Sequence, residues 1–79
     1  MMDVPVIEIV APAREVLRDY RGTIIGNLEH QRLTGKVIAR SRNGVVVGVY
    51  DPRSNETRDA RGRVVSNGNL LGALLLRGR

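Results

Sequence analysis

The sequence predicts a mainly β fold, an antiparallel hairpin meander with a short helix near the N-terminus, the C-terminus or both. Three observations predict it. An eight-residue phrase, DYRGTIIG at 19 to 26, returns as SRNGVVVG at 41 to 48 and as DARGRVVS at 59 to 66. A looser copy, RLTGKVIA, stands at 32 to 39. The hydrophobic residues are short β-branched pairs rather than long 3.6-periodic stretches, and the 79 residues include no Cys, Phe or Trp. One domain is the only count that length allows. A chain of this size buries only about 60–65% of its unfolded surface. With no disulfide and no large aromatic side chain, a core of Val, Ile and Leu is expected to be completed by association.

The opening MDVPVIEIV alternates, with Ile7 and Ile9 on one side and Glu8 on the other, as a strand does. Pro5 removes a ladder donor and marks an edge strand or its start. In APAREVLRDY, Pro12 suits the first turn of a helix and Val16 lies four residues before Tyr20, so a short helix or turn is expected. Each copy of the phrase then reads as a turn feeding a strand. Asp or Ser at its first position takes local backbone hydrogen bonds, and Gly at its fourth accepts positive φ. A glycine there makes a one-residue bulge as the chain enters the strand. Gly22, Gly35, Gly44 and Gly62 thus mark four strand entries, and their intervals of 13, 9 and 18 residues are too uneven for a solenoid. Hairpins accommodate them.

Aligning the copies puts Ile24, Val46 and Val64 on one face with Gly26, Gly48 and Ser66, extended by Leu28 and Tyr50. Ile25, Val47 and Val65 fall on the other face. A row of small residues implies that a helix or another backbone approaches closely. In YDPRSNETRD, Asp51-Pro52 opens a type I turn, and the acceptor triplet Asn55-Glu56-Thr57 reads as a polar hairpin loop. The end, NLLGALLLRGR, reads as a helix with Asn69 as its cap and Gly78 as its stop, in preference to the competing reading of a final strand. Leu70, Leu71, Leu74 and Leu75 share its apolar face and are the expected oligomer interface.

Residues 44 to 71, GVVVGVYDPRSNETRDARGRVVSNGNLL, resemble a pattern of small uncharacterised bacterial or phage-derived proteins, G-x-V-x-G-x-Y-D-x-x-x-N-x-T-R-D-x-x-G-R-V-V-x-x-G-N-L-L. The resemblance implies no activity and transfers no site residue. RDARGRVV is also similar to the tyrosine–aspartate repeats of large secreted β-shell proteins, with Arg58 where their Tyr stands, and we treat that as shared turn chemistry.

Catalytic chemistry finds little support. His30, the single histidine, sits beside Glu29 in a polar stretch, without the nucleophile or ligand spacing that an active or metal site needs. Asp51 and Asp59 face each other across the 52–58 loop in this reading, but each has a simpler role opening a turn. The glycines match neither a phosphate-binding loop nor a dinucleotide fingerprint. No catalytic, cofactor-binding or metal-binding residue is therefore assigned, and no cofactor is expected.

The formal net charge is +5, and twelve of the thirteen basic residues are Arg. Arg40, Arg42, Arg53, Arg58, Arg61 and Arg63 lie around the turns and could gather at one end of the sheet as a phosphate-binding cluster. The longest apolar run, LLGALLL, is too short to span a membrane, and no signal peptide is recognisable, so a cytoplasmic location is expected. The expected role is a non-enzymatic structural or protein-interaction module acting as a homo-oligomer, a dimer first. Nucleic-acid binding through the turn arginines is the alternative.

Overall fold

A computed structural model describes residues 6 to 11 and 13 to 77. Pro5, Pro12 and Gly78, read as an edge signal, a helix start and a helix stop, lie outside the described residues. Seven strands form one antiparallel sheet in chain order: β1 (Val6–Ala11), β2 (Arg14–Arg18), β3 (Ile24–His30), β4 (Val37–Ser41), β5 (Val46–Asp51), β6 (Glu56–Asp59) and β7 (Val64–Asn67). One helix follows, α1 (Leu71–Arg77). Every strand pairs with its sequence neighbour because the connections are too short for anything but a hairpin.

The segment read as a short helix or turn forms strand β2, with Asp19 and Tyr20 beyond its end. Within the strand Leu17 is buried and Arg14 is exposed. A ladder on both sides, to β1 and to β3, satisfies its backbone, which an isolated ten-residue helix could not match. The helix at the C-terminus is present as expected.

The face assignment needs correcting. In the β2–β3, β4–β5 and β6–β7 pairs the register slips by one residue at the same point, between Leu17 and Arg18, Ala39 and Arg40, and Thr57 and Arg58. The extra residue is the second of each β-branched pair: Ile25, Val47 or Val65. A bulge of this kind breaks the period-two rule, so Ile24, Val46 and Val64 do not share a face with Gly26, Gly48 and Ser66. They stand instead opposite Arg18, Arg40 and Arg58. Burial follows the slip, with Ile24 40% exposed and its neighbour Ile25 only 5%.

The row of small residues receives α1. A β-carbon on Gly26 would collide with the Arg40 carbonyl and lie 2.6 Å from a methyl of Leu75. On Gly48 it would lie 2.7 Å from Leu74 and 3.3 Å from Leu71. Leu71 and Leu75 are buried against Leu17, Ile25, Leu28, Val37 and Ala39, with Val47, Tyr50, Leu74 and Leu76 packed around them. Burying two such leucines contributes about 3–6 kcal/mol. The expected subunit interface at Leu71 and Leu75 is therefore internal core. Leu74 packs beside them, and only Leu70, 44% exposed, stays at the surface.

The helix is tied to the sheet at its start. The Asn69 side chain accepts the Leu71 N–H at 3.1 Å, the cap expected. Fully buried Thr57 donates its hydroxyl to the Gly68 carbonyl at 2.6 Å and accepts the Leu70 N–H at 3.0 Å. The face away from α1 is mixed. Ile38 and Val49 are half-buried there, near the Arg40–Glu29 ion pair at 3.5 Å and the Arg58–Glu56 pair at 3.2 Å.

Candidate nucleic-acid interface

The three copies of the phrase build three turns of one design. In the first, the Gly22 N–H donates to the Asp19 carbonyl and the Asp19 N–H to the Thr23 carbonyl, both at 2.9 Å. Gly44 with Ser41 and Val45, and Gly62 with Asp59 and Arg63, repeat this at 2.8 to 2.9 Å. All three glycines have φ of 84° to 85°, which strains any residue with a β-carbon. The first side chain secures each turn. Asp19 Oδ1 accepts the N–H groups of Arg21 and Thr23 at 2.9 and 3.0 Å, and Asp59 Oδ1 those of Arg61 and Arg63 at the same distances. Ser41 Oγ does this more loosely, at 3.3 Å to Asn43 and Val45. The backbone hydrogen bond from Arg63 chiefly, then that from Arg61 and the charges of both arginines, hold the Asp59 pKa below the ordinary aspartate value against its partial burial.

An arginine directly precedes each copy and closes the turn from the helix-free face. Arg18 Nη1 donates to the Gly22 carbonyl at 2.9 Å, Arg40 Nη1 to that of Gly44 at 3.4 Å, and Arg58 Nη1 to that of Gly62 at 2.8 Å. The repeated unit is thus nine residues long, starting Arg-[Asp/Ser]. The cluster expected from the sequence includes Arg40 and Arg58 but neither Arg18, which falls in the segment read as a short helix or turn, nor Arg21. The recurrence of Arg at that position was the signal available.

Topology then gathers these turns. In a meander, alternate hairpins lie at the same end of the sheet, so the β2–β3, β4–β5 and β6–β7 turns form a row. Strands about 4.8 Å apart set neighbouring turns about 10 Å apart, and the row about 20 Å long. Seven arginines belong to it: Arg18, Arg21, Arg40, Arg42, Arg58, Arg61 and Arg63. Among the described residues they face Asp19 and Asp59, both engaged with turn N–H groups, and two of them also reach glutamates, Arg40 to Glu29 at 3.5 Å and Arg58 to Glu56 at 3.2 Å. Arg63 Nε lies 3.6 Å from Asp59, whereas Arg42 and Arg61 are exposed and make no side-chain hydrogen bond or ion pair among the described residues.

The opposite end carries Arg14, Arg32, Lys36 and Arg53 with Glu15 and Asp51, while the side chains of Glu29 and Glu56 reach from that end to Arg40 and Arg58. Arg53 is thereby separated from the cluster in which the sequence reading put it. It sits in the β5–β6 loop, its N–H bonded to Asp51 Oδ1 at 2.9 Å. The looser fourth copy also turns at that end. The Gly35 N–H reaches back to the Gln31 carbonyl, one residue further than in the true copies.

The other chemical candidates are dispersed. His30 Nε2 lies 2.7 Å from Glu15, on the adjacent strand, rather than engaging Glu29. Asp51 pairs across the ladder with Glu56, and Asp59 with Gly48, so the two aspartates stand at opposite ends of the sheet rather than facing each other. Among the described residues no group of three or more His, Asp or Glu is placed to hold a metal ion, and no helix is long and apolar enough to cross a membrane. Compared with protein-family models, with curated proteins and with solved structures, the chain matches none. The functional argument therefore rests on the residues themselves.

Proposed function

We propose that the protein is a non-enzymatic binding module that holds nucleic acid by its phosphates along the row of three arginine-bearing turns. One observation carries the reading: seven arginines belong to three turns in a row at one end of the sheet, and two of them, Arg42 and Arg61, are exposed with no side-chain hydrogen bond or ion pair among the described residues. The Arg42 and Arg61 side chains project from short turns, and their guanidinium forks match phosphate oxygens with no ion pair among the described residues to break first. Fluorescence anisotropy with a labelled oligonucleotide, titrated across salt concentrations, tests it. Affinity should fall linearly on a log–log plot. Arg42→Ala and Arg61→Ala should each flatten the slope by about 0.7–0.9. Arg53→Ala, at the opposite end, should leave it unchanged. No binding at low salt, or equal effects from Arg53 and Arg61, would remove the proposal.

A second reading, a homo-oligomeric structural or protein-interaction module, is favoured by β7. This edge strand has Val64 and Val65 45% and 43% exposed, and contains neither the Lys nor the Pro that usually protects an edge. Light scattering that gives a monomer at tens of micromolar would set it aside.

A further inference from the structure

The turn row also carries apolar surface where a purely electrostatic site would need none. Tyr20 occupies the second position of the first turn and is 64% exposed. Val45, leaving the second turn, is 63% exposed. The Arg21 guanidinium lies 5.4 Å from the centre of the Tyr20 ring, and its Nε donates to the Tyr20 hydroxyl at 3.0 Å. That contact places the guanidinium over one face of the ring and leaves the residue largely exposed. A surface hollow lined by Asp19, Tyr20, Arg21 and Thr23 lies alongside. The other tyrosine, Tyr50, is half-buried and donates to Asn55, at the far end of the sheet.

We infer that the preferred ligand is a single strand rather than a duplex, with one unpaired base stacked on Tyr20 and phosphates further along the strand on Arg42 and Arg61. This rests on the proposed nucleic-acid reading and deepens it. An aromatic ring offers a base its π-face, and only an unpaired base can present its own face in return. A duplex shows the turns its phosphates and base edges, so it would engage the arginines and leave Tyr20 unused. Val45 offers a second apolar surface about 10 Å along the row, a strand-pair spacing away.

The test compares a short labelled oligothymidylate with a hairpin duplex, using the full chain. Tyr20→Ala should weaken single-strand binding about tenfold and leave duplex binding unchanged, whereas Tyr20→Phe should retain both. The chain has no Trp, so a Tyr50→Phe variant reports Tyr20 fluorescence alone, and this should be quenched by the single strand and not by the duplex. If Tyr20→Ala weakens both ligands equally or neither, stacking is overturned while the arginine row stands. If neither ligand binds the unaltered protein, both proposals fall.

Discussion

Gly48→Ala tests the docking of the helix most directly, because the added methyl has nowhere to go. Its carbon would lie 2.7 Å from Leu74 Cδ1, 2.9 Å from the Arg58 carbonyl oxygen and 3.3 Å from Leu71 Cδ2. The leucine methyls can move, but the carbonyl is ladder backbone and cannot. Overpacking of this kind costs about 1–3 kcal/mol. Replacing a strand glycine by alanine returns about 0.5–1 kcal/mol through the unfolded chain. The net loss should therefore be about 0–2.5 kcal/mol, with its upper part a sizeable share of the roughly 4–12 kcal/mol expected for 79 residues. Gly44 is the control. It has φ of +85° and no atom within 4 Å of an added β-carbon, so its difficulty is conformational. Gly44→Ala should cost about 1–2 kcal/mol and Gly44→Asn much less, since Asn tolerates the left-handed region. At Gly48 the order should reverse, with Asn worse than Ala because it is larger. Urea unfolding followed by circular dichroism measures all four. Adding Leu74→Ala to Gly48→Ala should relieve part of the clash and give a coupling of about 0.5 kcal/mol or more. Strict additivity, or a Gly48→Ala variant more stable than the parent, would mean that α1 does not rest on that glycine.

Two further outcomes follow from the same geometry. Thr57→Val removes the hydroxyl that joins Gly68 and Leu70 and should cost about 1–3 kcal/mol in urea unfolding; an unchanged midpoint would mean that the helix start needs no tie. Asp59 has a folded pKa below its unfolded value, so its contribution is present above about pH 4 and is lost as pH falls through the folded pKa. The stability gap between the parent and Asp59→Asn should therefore be widest near neutrality and close on acidification, and a gap that widened below pH 4 would refute the assignment.

Much of the fold was legible in the residues because turn chemistry is local. Asp19, Gly22 and Thr23 interact with one another over five positions, so their recurrence at 41 and 59 announced three turns of one kind. The glycine row likewise foretold a close neighbour, and Asn69 the start of the helix that supplies it. What the residues could not disclose was cumulative. Which way Ile24 points depends on a bulge set by pairing with β2, a strand formed by residues whose sequence suggested a helix. Which arginines belong together depends on counting strands, since each added strand reverses the end at which the next turn falls. Arg18 and Arg21 joined the cluster and Arg53 left it for that reason. The amino-acid sequence by itself determined where this chain bends and where its strands begin. Only the tertiary structure decided which side chains share a face or an end, because register and direction accumulate along the whole sheet whereas a turn is settled among its own few residues.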